Sequence, residues 1–195
     1  MLRVGITGGM GSGKTTIARM FQVLGIPVYF ADDEAKNLMN HDPALKQAIM
    51  AIFGHEAYNL NGLNREFISS VAFSEPDKLK ALNAIVHPAV MAHGKAWMLS
   101  QYAPYSLKEA ALLFESGSNK QLDLIIGVWC PVELRIERVM NRDSSSREQV
   151  LARMQKQMNE EEKMKLCDFV ITNDERMALI PQVLSLHGEL VSRNI

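Results

Sequence analysis

The stretch from Gly8 to Thr15 constrains the fold of this chain more strongly than any other segment. Its residues, Gly-Gly-Met-Gly-Ser-Gly-Lys-Thr, fit the pattern G-x-x-x-x-G-K-[ST]. Residues 2–6, Leu-Arg-Val-Gly-Ile, predict a short buried strand directly before it. A helix is predicted after it, because apolar residues recur at helical spacing at Ile17, Met20, Phe21 and Leu24. The pattern therefore lies between a strand and a helix, the context that its chemistry requires.

The residue types in this segment suit a phosphate-binding loop. Glycines let backbone N–H groups turn towards phosphate oxygens, and the following helix adds the positive end of its dipole. Lys14 can reach the β- and γ-phosphates, and the Thr15 hydroxyl can bind Mg²⁺. A chance match in a Gly-rich turn is expected about once in a hundred such chains or less often. We expect a nucleoside-triphosphate site formed by Gly9, Gly11, Ser12, Gly13, Lys14, Thr15 and Thr16.

Predicted strands and helices alternate along the chain, which indicates an α/β fold with a parallel sheet. Further strands are predicted near residues 26–31, 110–114, 123–130 and 168–172. Between them, residues 33–102 have a helical pattern, with helix starts predicted at Pro43, Pro76 and Pro88. We therefore expect residues 1–32 and 103–195 to form a nucleotide-binding core, and residues 33–102 to form a helical insertion.

Three polar residues are predicted at the carboxyl ends of strands in this fold. They are Thr7, Asp32 and Glu115, and Glu115 follows the apolar segment 110–114. In open parallel sheets, ligands bind at that edge. We therefore expect these three residues to lie close to the site of phosphoryl transfer.

The composition excludes several classes of protein. The net charge is −1 and 47% of residues are apolar, which argues against a disordered chain and against a broad grip on nucleic acid or an anionic membrane. The longest apolar run, residues 124–130, is too short to cross a bilayer, and the amino terminus has no apolar segment of signal-peptide length. Cys130 and Cys167 lie far apart with no CxxC motif, so we expect free thiols. We expect a cytoplasmic protein with no nucleic-acid and no membrane partner.

Half of the ten arginines lie within 19 residues: Arg135, Arg138, Arg142, Arg147 and Arg153. Arginine suits polyphosphates because its planar fork forms paired hydrogen bonds. Residues 141–147 predict a mobile loop between two helices, so a lid at about 138–153 is favoured beside the phosphate loop. In isolation, a solvated helix face with i,i+4 ion pairs would be the favoured explanation of the cluster. No N-K-x-D-like guanine-reading segment is present, which favours a small-molecule kinase over a GTPase.

A set of characteristic blocks is spread over nearly the whole chain. The blocks are residues 5–18, Ala31-Asp32 with Ala35, Leu63–Arg65, Val71–Phe73, Leu82–Pro88, Leu112–Glu115, Asn141–Asp143, Arg147 and residues 168–173. Together they resemble the bacterial dephospho-coenzyme A kinases. The glycine-rich loop is common to many families, whereas I-V-H-P and L-L-F-E are much more specific. The chain departs from the family pattern at Phe30, Asn64 and Ala111, where the family has Asp, Asp and Pro.

The resemblance implies a fold and a reaction. Such enzymes have a kinase core with five parallel strands, a helical acceptor-binding domain and a lid. They use ATP and Mg²⁺ to phosphorylate the ribose 3′-hydroxyl of dephospho-coenzyme A. The resemblance therefore implies that residues 33–102 bind the acceptor. Thr15 is the residue expected to bind the metal, and we expect the protein to be a monomer or a weak homo-oligomer. A nucleoside or nucleotide kinase and a non-catalytic nucleotide sensor are the alternatives.

Catalytic roles are expected for Asp32, Lys14 and Arg142. Asp32 is the candidate general base for the acceptor hydroxyl, although an Asp after a strand is also a common helix N-cap, and Asp33 leaves open which carboxylate faces the acceptor. Arg142 is the lid arginine expected to bind ATP or the transition state, with Arg138 and Arg147 as further candidates.

The remaining candidates carry open alternatives. His87 and Glu115 are expected in the acceptor site together with Thr7 and Asp32, although His87 has the alternative of a structural histidine and Glu115 that of a surface glutamate. Asn173 either borders the adenine of ATP or forms a turn.

Overall fold

The structure is a computed structural model that describes residues 1–193. Within these residues the strands are β1 (Leu2–Thr7), β2 (Val28–Phe30), β3 (Tyr58–Asn59), β4 (Gly62–Leu63), β5 (Tyr105–Glu109), β6 (Leu124–Trp129) and β7 (Phe169–Thr172). The α-helices are α1 (Lys14–Val23), α2 (Ala31–His41), α3 (Pro43–Phe53), α4 (Arg65–Ser74), α5 (Pro76–Leu99), α6 (Val132–Asp143), α7 (Arg147–Met154), α8 (Glu160–Lys165) and α9 (Leu179–Ser192).

Five strands form one parallel sheet in the order β2-β5-β1-β6-β7. The central strand β1 places Ile6 opposite Glu109 of β5 and Ile126 of β6. The sheet is buried on both sides, as expected for parallel strands, and helices α1 and α9 contribute to its core. The predicted α/β class with a five-stranded parallel sheet is therefore confirmed.

The chain divides into two compact units. One is Met1–Phe30 together with the chain from Trp97 onwards, and the other is Ala31–Ala96. The helical pattern predicts the insertion at 33–102, so both observed boundaries lie a few residues earlier in the chain. The first unit contains the five-stranded sheet and the loop after β1.

The second unit is helical apart from the β3–β4 hairpin, which forms around the turn at residues 59–62. Asp42 caps α3 by accepting a hydrogen bond from the Leu45 N–H at 3.0 Å, and Pro43 begins that helix. This unit has its own apolar core, formed by Leu45, Ile49, Phe53, Ala57, Ile68, Leu82 and Val86.

Two predicted helix boundaries are wrong, because a proline and a polar segment that usually mark helix ends do not do so here. Pro88 lies inside α5 rather than at a helix start, although an interior proline costs a helix about 3 kcal/mol. Leu82 and Val86, in the turns before it, are buried in the core of this unit, and such packing favours a continuous helix. Residues 141–147 are not a loop throughout, because α6 continues to Asp143 and α7 begins at Arg147 with a full capping box at Ser146.

The strand predicted at 110–114 is also wrong, and this error affects the site. The strand is β5, which contains the polar residues Ser106, Lys108 and Glu109, all of them buried. The apolar segment after it forms a turn that buries Leu113. Polar side chains inside a buried strand hid it from a search for apolar runs.

Candidate active site

The loop between β1 and α1 turns sharply at two glycines. Gly11 and Gly13 have φ values of +82° and +89°, a region that residues with side chains rarely adopt. A Cβ atom on Gly11 would lie 2.5 Å from the carbonyl oxygen of Arg135, so only glycine lets the loop approach α6 this closely. The glycine-rich sequence is therefore required by both backbone conformation and packing.

The first turn of α1 leaves its N–H groups open to an anion. Gly13 is the N-cap and makes no side-chain cap, and this turn contains no acidic residue. The free N–H groups and the positive end of the helix dipole together favour bound phosphate. Within the described residues, the buried Ser12 hydroxyl also has no hydrogen-bond partner, which leaves a further donor in the loop.

Glu109 lies beside the two functional side chains at the start of α1. Its Oε1 atom is 3.6 Å from the Lys14 amine and accepts a hydrogen bond from the Thr15 hydroxyl at 3.4 Å. Glu109 is the last residue of β5 and only 3% exposed. Sequence reasoning missed this residue, because the strand end was predicted five residues later.

Asn173 contacts the loop from the β7 side of the sheet, opposite to Glu109 in the strand order. It follows β7, and its side-chain amide donates to the Ser12 carbonyl oxygen at 2.8 Å. Arg138 donates to the Asn173 side chain at 3.4 Å and to Glu175 at 2.9 Å. Asn173 therefore anchors the phosphate loop, a role that sequence reasoning missed; its predicted contact with adenine stays a prediction.

The first N–H groups of the loop are bound by side chains near α8. Gly9 donates its backbone N–H to Glu160 at 3.2 Å, and Met10 donates to Gln157 at 2.9 Å. Glu160 also forms an ion pair with the buried Arg135 at 2.9 Å. A Cβ atom on Gly9 would overlap the guanidinium of Arg135, so a larger residue here would require the Arg135 and Glu160 side chains to move.

The other arginines of the predicted lid form ion pairs with acidic residues. Arg142 donates to its neighbour Asp143 at 2.7 Å, and this hydrogen bond raises the pKa of Arg142 above its ordinary value. Arg147 donates to both oxygens of Glu133 at 2.9 Å, and Arg153 pairs with Asp143 at 3.0 Å. Contacts between these arginines and phosphate stay predictions.

Glu115 lies six residues after the end of β5, in a turn rather than at the end of a strand. Its Oε1 atom accepts hydrogen bonds from the buried Lys163 amine and from the Met158 N–H, both at 2.9 Å. Burial alone would raise the pKa of Glu115, but these two hydrogen bonds outweigh burial and hold the pKa below its ordinary value.

Thr7, the last residue of β1, forms a hydrogen bond with the turn that contains Glu115. It is fully buried, and its hydroxyl donates to the Ala111 carbonyl oxygen at 3.5 Å. Acceptor binding by Glu115 and Thr7 stays a prediction.

Asp32 and His87 belong to the unit Ala31–Ala96. Asp32 is exposed in the first turn of α2, which begins one residue earlier at Ala31. The neighbouring Asp33 pairs with Lys36 at 2.6 Å, so its carboxylate is engaged within the helix. His87 is half-buried in the middle of α5.

The described residues limit the kinds of metal site that this chain can form by itself. They contain no group of three or more His, Cys, Asp or Glu side chains that could hold a metal ion. Cys130 and Cys167 are free thiols, as expected. None of the helices described is both long and apolar enough to span a membrane.

Comparisons with known proteins connect this site to one family. The sequence profile described as "Dephospho-CoA kinase" matches residues 2–178. A dephospho-CoA kinase of Bacteroides fragilis strain YCH46 is 37% identical over 186 residues, covering 95% of this chain and 91% of its own. A second, from Chlorobium chlorochromatii, is 39% identical over 201 residues, covering 98% of this chain and 95% of its own.

Solved structures are similar over the whole chain. Dephospho-CoA kinase from Campylobacter jejuni has a TM-score of 0.72 at 27% identity, covering 99% of this chain and 98% of its own. Shikimate kinase from Acinetobacter baumannii has a TM-score of 0.56 at 18% identity, covering 99% and 94%. The latter shows that the fold is shared with kinases that have other acceptors.

Proposed function

The chain belongs to the dephospho-CoA kinase family, and we propose that it transfers the γ-phosphoryl group of ATP to the ribose 3′-hydroxyl of dephospho-coenzyme A. This reaction is the last step of coenzyme A biosynthesis and releases ADP. The observation that carries the proposal is the β1–α1 loop with Lys14 and Thr15, in a chain that matches the family profile over residues 2–178.

The loop is proposed to hold the phosphates of ATP. Three of its N–H groups have partners: those of Gly9 and Met10 are bound by side chains near α8, and that of Ser12 donates to the Gly9 carbonyl oxygen. We propose that the first turn of α1 offers its N–H groups to phosphate oxygens. Lys14 would neutralise charge on the β- and γ-phosphates. Asn173 keeps the loop in place through the Ser12 carbonyl.

A magnesium ion fits the oxygen groups that the chain supplies. Mg²⁺ is usually held by one or two protein oxygens together with substrate phosphates, so the lack of a larger acidic cluster within residues 1–193 is compatible with it. Thr15 would hold the ion through its hydroxyl. When bound, magnesium offsets the negative charge of the transferring phosphates.

The unit Ala31–Ala96 is proposed to bind the acceptor. Asp32 would accept the proton of the ribose hydroxyl, and its exposure in the first turn of α2 leaves the carboxylate accessible. His87 would contact dephospho-coenzyme A, and Thr7 would border the acceptor at the end of β1. Arg142 would leave Asp143 for the phosphates, where a fork of donors matches the transition state.

A coupled assay of ADP release tests the proposal. ADP release should depend on dephospho-coenzyme A and should fall to background without it. Activity on a nucleoside monophosphate but none on dephospho-coenzyme A would instead indicate a nucleotide kinase. ATP turnover that no acceptor accelerates would indicate a sensor. The cytoplasmic location and the monomeric or weakly associated state stay predictions.

A further inference from the structure

A cavity of about 460 Å³ lies close to the phosphate loop, and the reaction as proposed assigns it no role. It is lined by residues of the first turn of α6 and of the segment 151–161, all in the unit that contains the five-stranded sheet. We call this cavity the α6–α7 pocket. Ligand pockets in proteins have volumes of roughly 300–1,000 Å³, so the α6–α7 pocket is large enough to hold part of a substrate.

Two side chains of the pocket wall connect it to the phosphate loop. Gln157 accepts a hydrogen bond from the Met10 N–H at 2.9 Å, and Glu160 accepts one from the Gly9 N–H at 3.2 Å. In the proposed function the acceptor meets ATP at this loop. The pocket therefore begins one side chain away from the place where the two substrates react.

The charges of the pocket wall disfavour a phosphate group as its ligand. Its single cation, the buried Arg135, forms an ion pair with Glu160 at 2.9 Å. Glu161 adds a second carboxylate, so one arginine and two glutamates give the wall a net charge of −1. A phosphate site would instead supply unpaired cations. The pocket is therefore suited to an uncharged group.

The rest of the wall combines amide and apolar side chains. The amides are those of Gln155, Gln157 and Asn159. The apolar residues are Val132, Leu151, Met154 and Met158. Val132 is 50% and Leu151 37% exposed, so both present apolar surface that a ligand could cover. The methionines are flexible enough to adapt to the shape of a ligand.

The amide side chains leave hydrogen-bond donors for a ligand. Gln157 uses its oxygen to hold the phosphate loop, and Asn159 uses its oxygen to cap α8. No hydrogen bond donated by the NH₂ groups of Gln155, Gln157 and Asn159 is found within residues 1–193. An amide NH₂ group carries two donors, and their natural acceptors are carbonyl oxygens. The wall therefore suits a ligand with carbonyl groups between apolar segments.

We infer that the α6–α7 pocket binds the pantetheine arm of dephospho-coenzyme A. The inference rests on the proposed function, in which this compound is the acceptor. The pantetheine arm is an uncharged chain in which amide groups alternate with methylene and methyl groups. The phosphates of both substrates are anions, and adenine is a flat ring, whereas none of the residues lining the pocket offers an aromatic side chain for stacking.

This assignment gives the pocket a part in acceptor selection. The NH₂ groups of the wall donate to the carbonyl oxygens of the arm, and Leu151 and Met154 cover its methyl groups. The arm takes no part in the chemistry, so the contacts it makes strengthen acceptor binding from a distance. An acceptor without the arm lacks these contacts.

Filling the pocket tests the inference. Leu151→Trp places a larger side chain on the exposed wall of the pocket. Calorimetry with a non-hydrolysable ATP analogue bound measures the affinity for dephospho-coenzyme A and for AMP, which lacks the arm. We expect the affinity for dephospho-coenzyme A to fall about tenfold, the scale of losing the contacts of one apolar group. The affinities for AMP and for the ATP analogue should stay within twofold of the wild type.

Leu184→Trp is the matched control, because Leu184 is 50% exposed on α9, outside the α6–α7 pocket. It should leave all three affinities within twofold of the wild type. An affinity for dephospho-coenzyme A within twofold of the wild type in Leu151→Trp would overturn the inference. An equal loss of AMP affinity would also overturn it, because the effect would not depend on the arm. A loss confined to the ATP analogue would assign the pocket to adenine instead.

A second variant decides the matter if circular dichroism shows that Leu151→Trp folds poorly. Gln155→Glu keeps the size of the side chain but replaces its NH₂ donor with an acceptor. It should lower the affinity for dephospho-coenzyme A about threefold or more and leave AMP affinity unchanged. Gln22→Glu, at an exposed position of α1, adds the same charge outside the pocket and should have no effect. Equal affinities in the two glutamate variants would overturn the inference.

The wild-type enzyme separates this inference from the proposed function. If ADP release depends on dephospho-coenzyme A but the pocket variants bind it normally, only the assignment of the α6–α7 pocket fails. If dephospho-coenzyme A does not stimulate ADP release by the wild type, the proposed function fails and the inference fails with it.

Discussion

Glu109 and Glu115 lie six residues apart on one segment, yet their surroundings differ. Glu109 ends β5 and contacts Lys14 and Thr15, whereas Glu115 lies in the following turn and accepts hydrogen bonds from Lys163 and Met158. Both carboxylates are largely withdrawn from water and both have a lysine partner. The end of strand β5 separates the two residues. Glu109, at the strand end, contacts the phosphate loop, whereas Glu115, beyond it, connects the following turn to α8 through Lys163.

The largest effect on turnover is expected for Asp32, a carboxylate that belongs to neither of these two surroundings. Asp32→Asn should lower turnover by about 10²–10⁴-fold, because general bases contribute on that scale, while ATP affinity stays near wild type. ADP release and nucleotide binding measure the two effects separately. Near-normal turnover would remove Asp32 as the base and direct attention to the neighbouring Asp33.

A stability effect is expected at Glu115. Glu115→Gln leaves the fully buried Lys163 amine without its charged partner and should lower the free energy of unfolding by roughly 3 kcal/mol. Urea unfolding measures this. Glu189→Gln is the exposed control, because Glu189 pairs with Arg193 on the exposed side of α9, and we expect it to change the free energy of unfolding by at most about 0.5 kcal/mol. A raised KM for dephospho-coenzyme A with unchanged stability would instead place Glu115 in the acceptor site.

A smaller effect on turnover is expected at Arg142. Arg142→Lys keeps the charge but loses the planar fork, and one lost charge-assisted hydrogen bond should cost about tenfold in kcat. ADP release at saturating ATP is the measurement. Wild-type kinetics would mean that Arg142 stays with Asp143 during the reaction.

The smallest effect concerns pH. The pKa of Glu115 lies below its ordinary value in the folded protein, so its contribution to stability is present above the unfolded-state pKa and is lost as pH falls through the folded-state pKa. The stability difference between wild type and Glu115→Gln should therefore shrink in acid and stay constant around neutral pH. Unfolding curves at several pH values test this; a difference that grows in acid would contradict it.

Much of the fold and part of the site could be predicted from residue patterns. The loop, Lys14 and Thr15 were recognisable because the glycines, lysine and threonine are neighbours in the chain. The class of the sheet followed from the alternation of strands and helices. The position of β5 did not follow, because Ser106, Lys108 and Glu109 give a buried strand the composition of a surface segment.

The phosphate loop could be predicted from the sequence alone, because its backbone conformation and the polarity of the following helix depend on residues a few positions apart. Only the tertiary packing determines which side chains hydrogen-bond to this loop. Glu109, Glu160 and Asn173 reach the loop across 94, 151 and 161 residues of sequence. Glu109 and Asn173 reach the loop where parallel strands of the sheet end, and Glu160 reaches it from the start of α8. No local sequence pattern marks such contacts. Packing likewise gives Glu115 a lysine partner and places Glu109 beside Lys14 and Thr15.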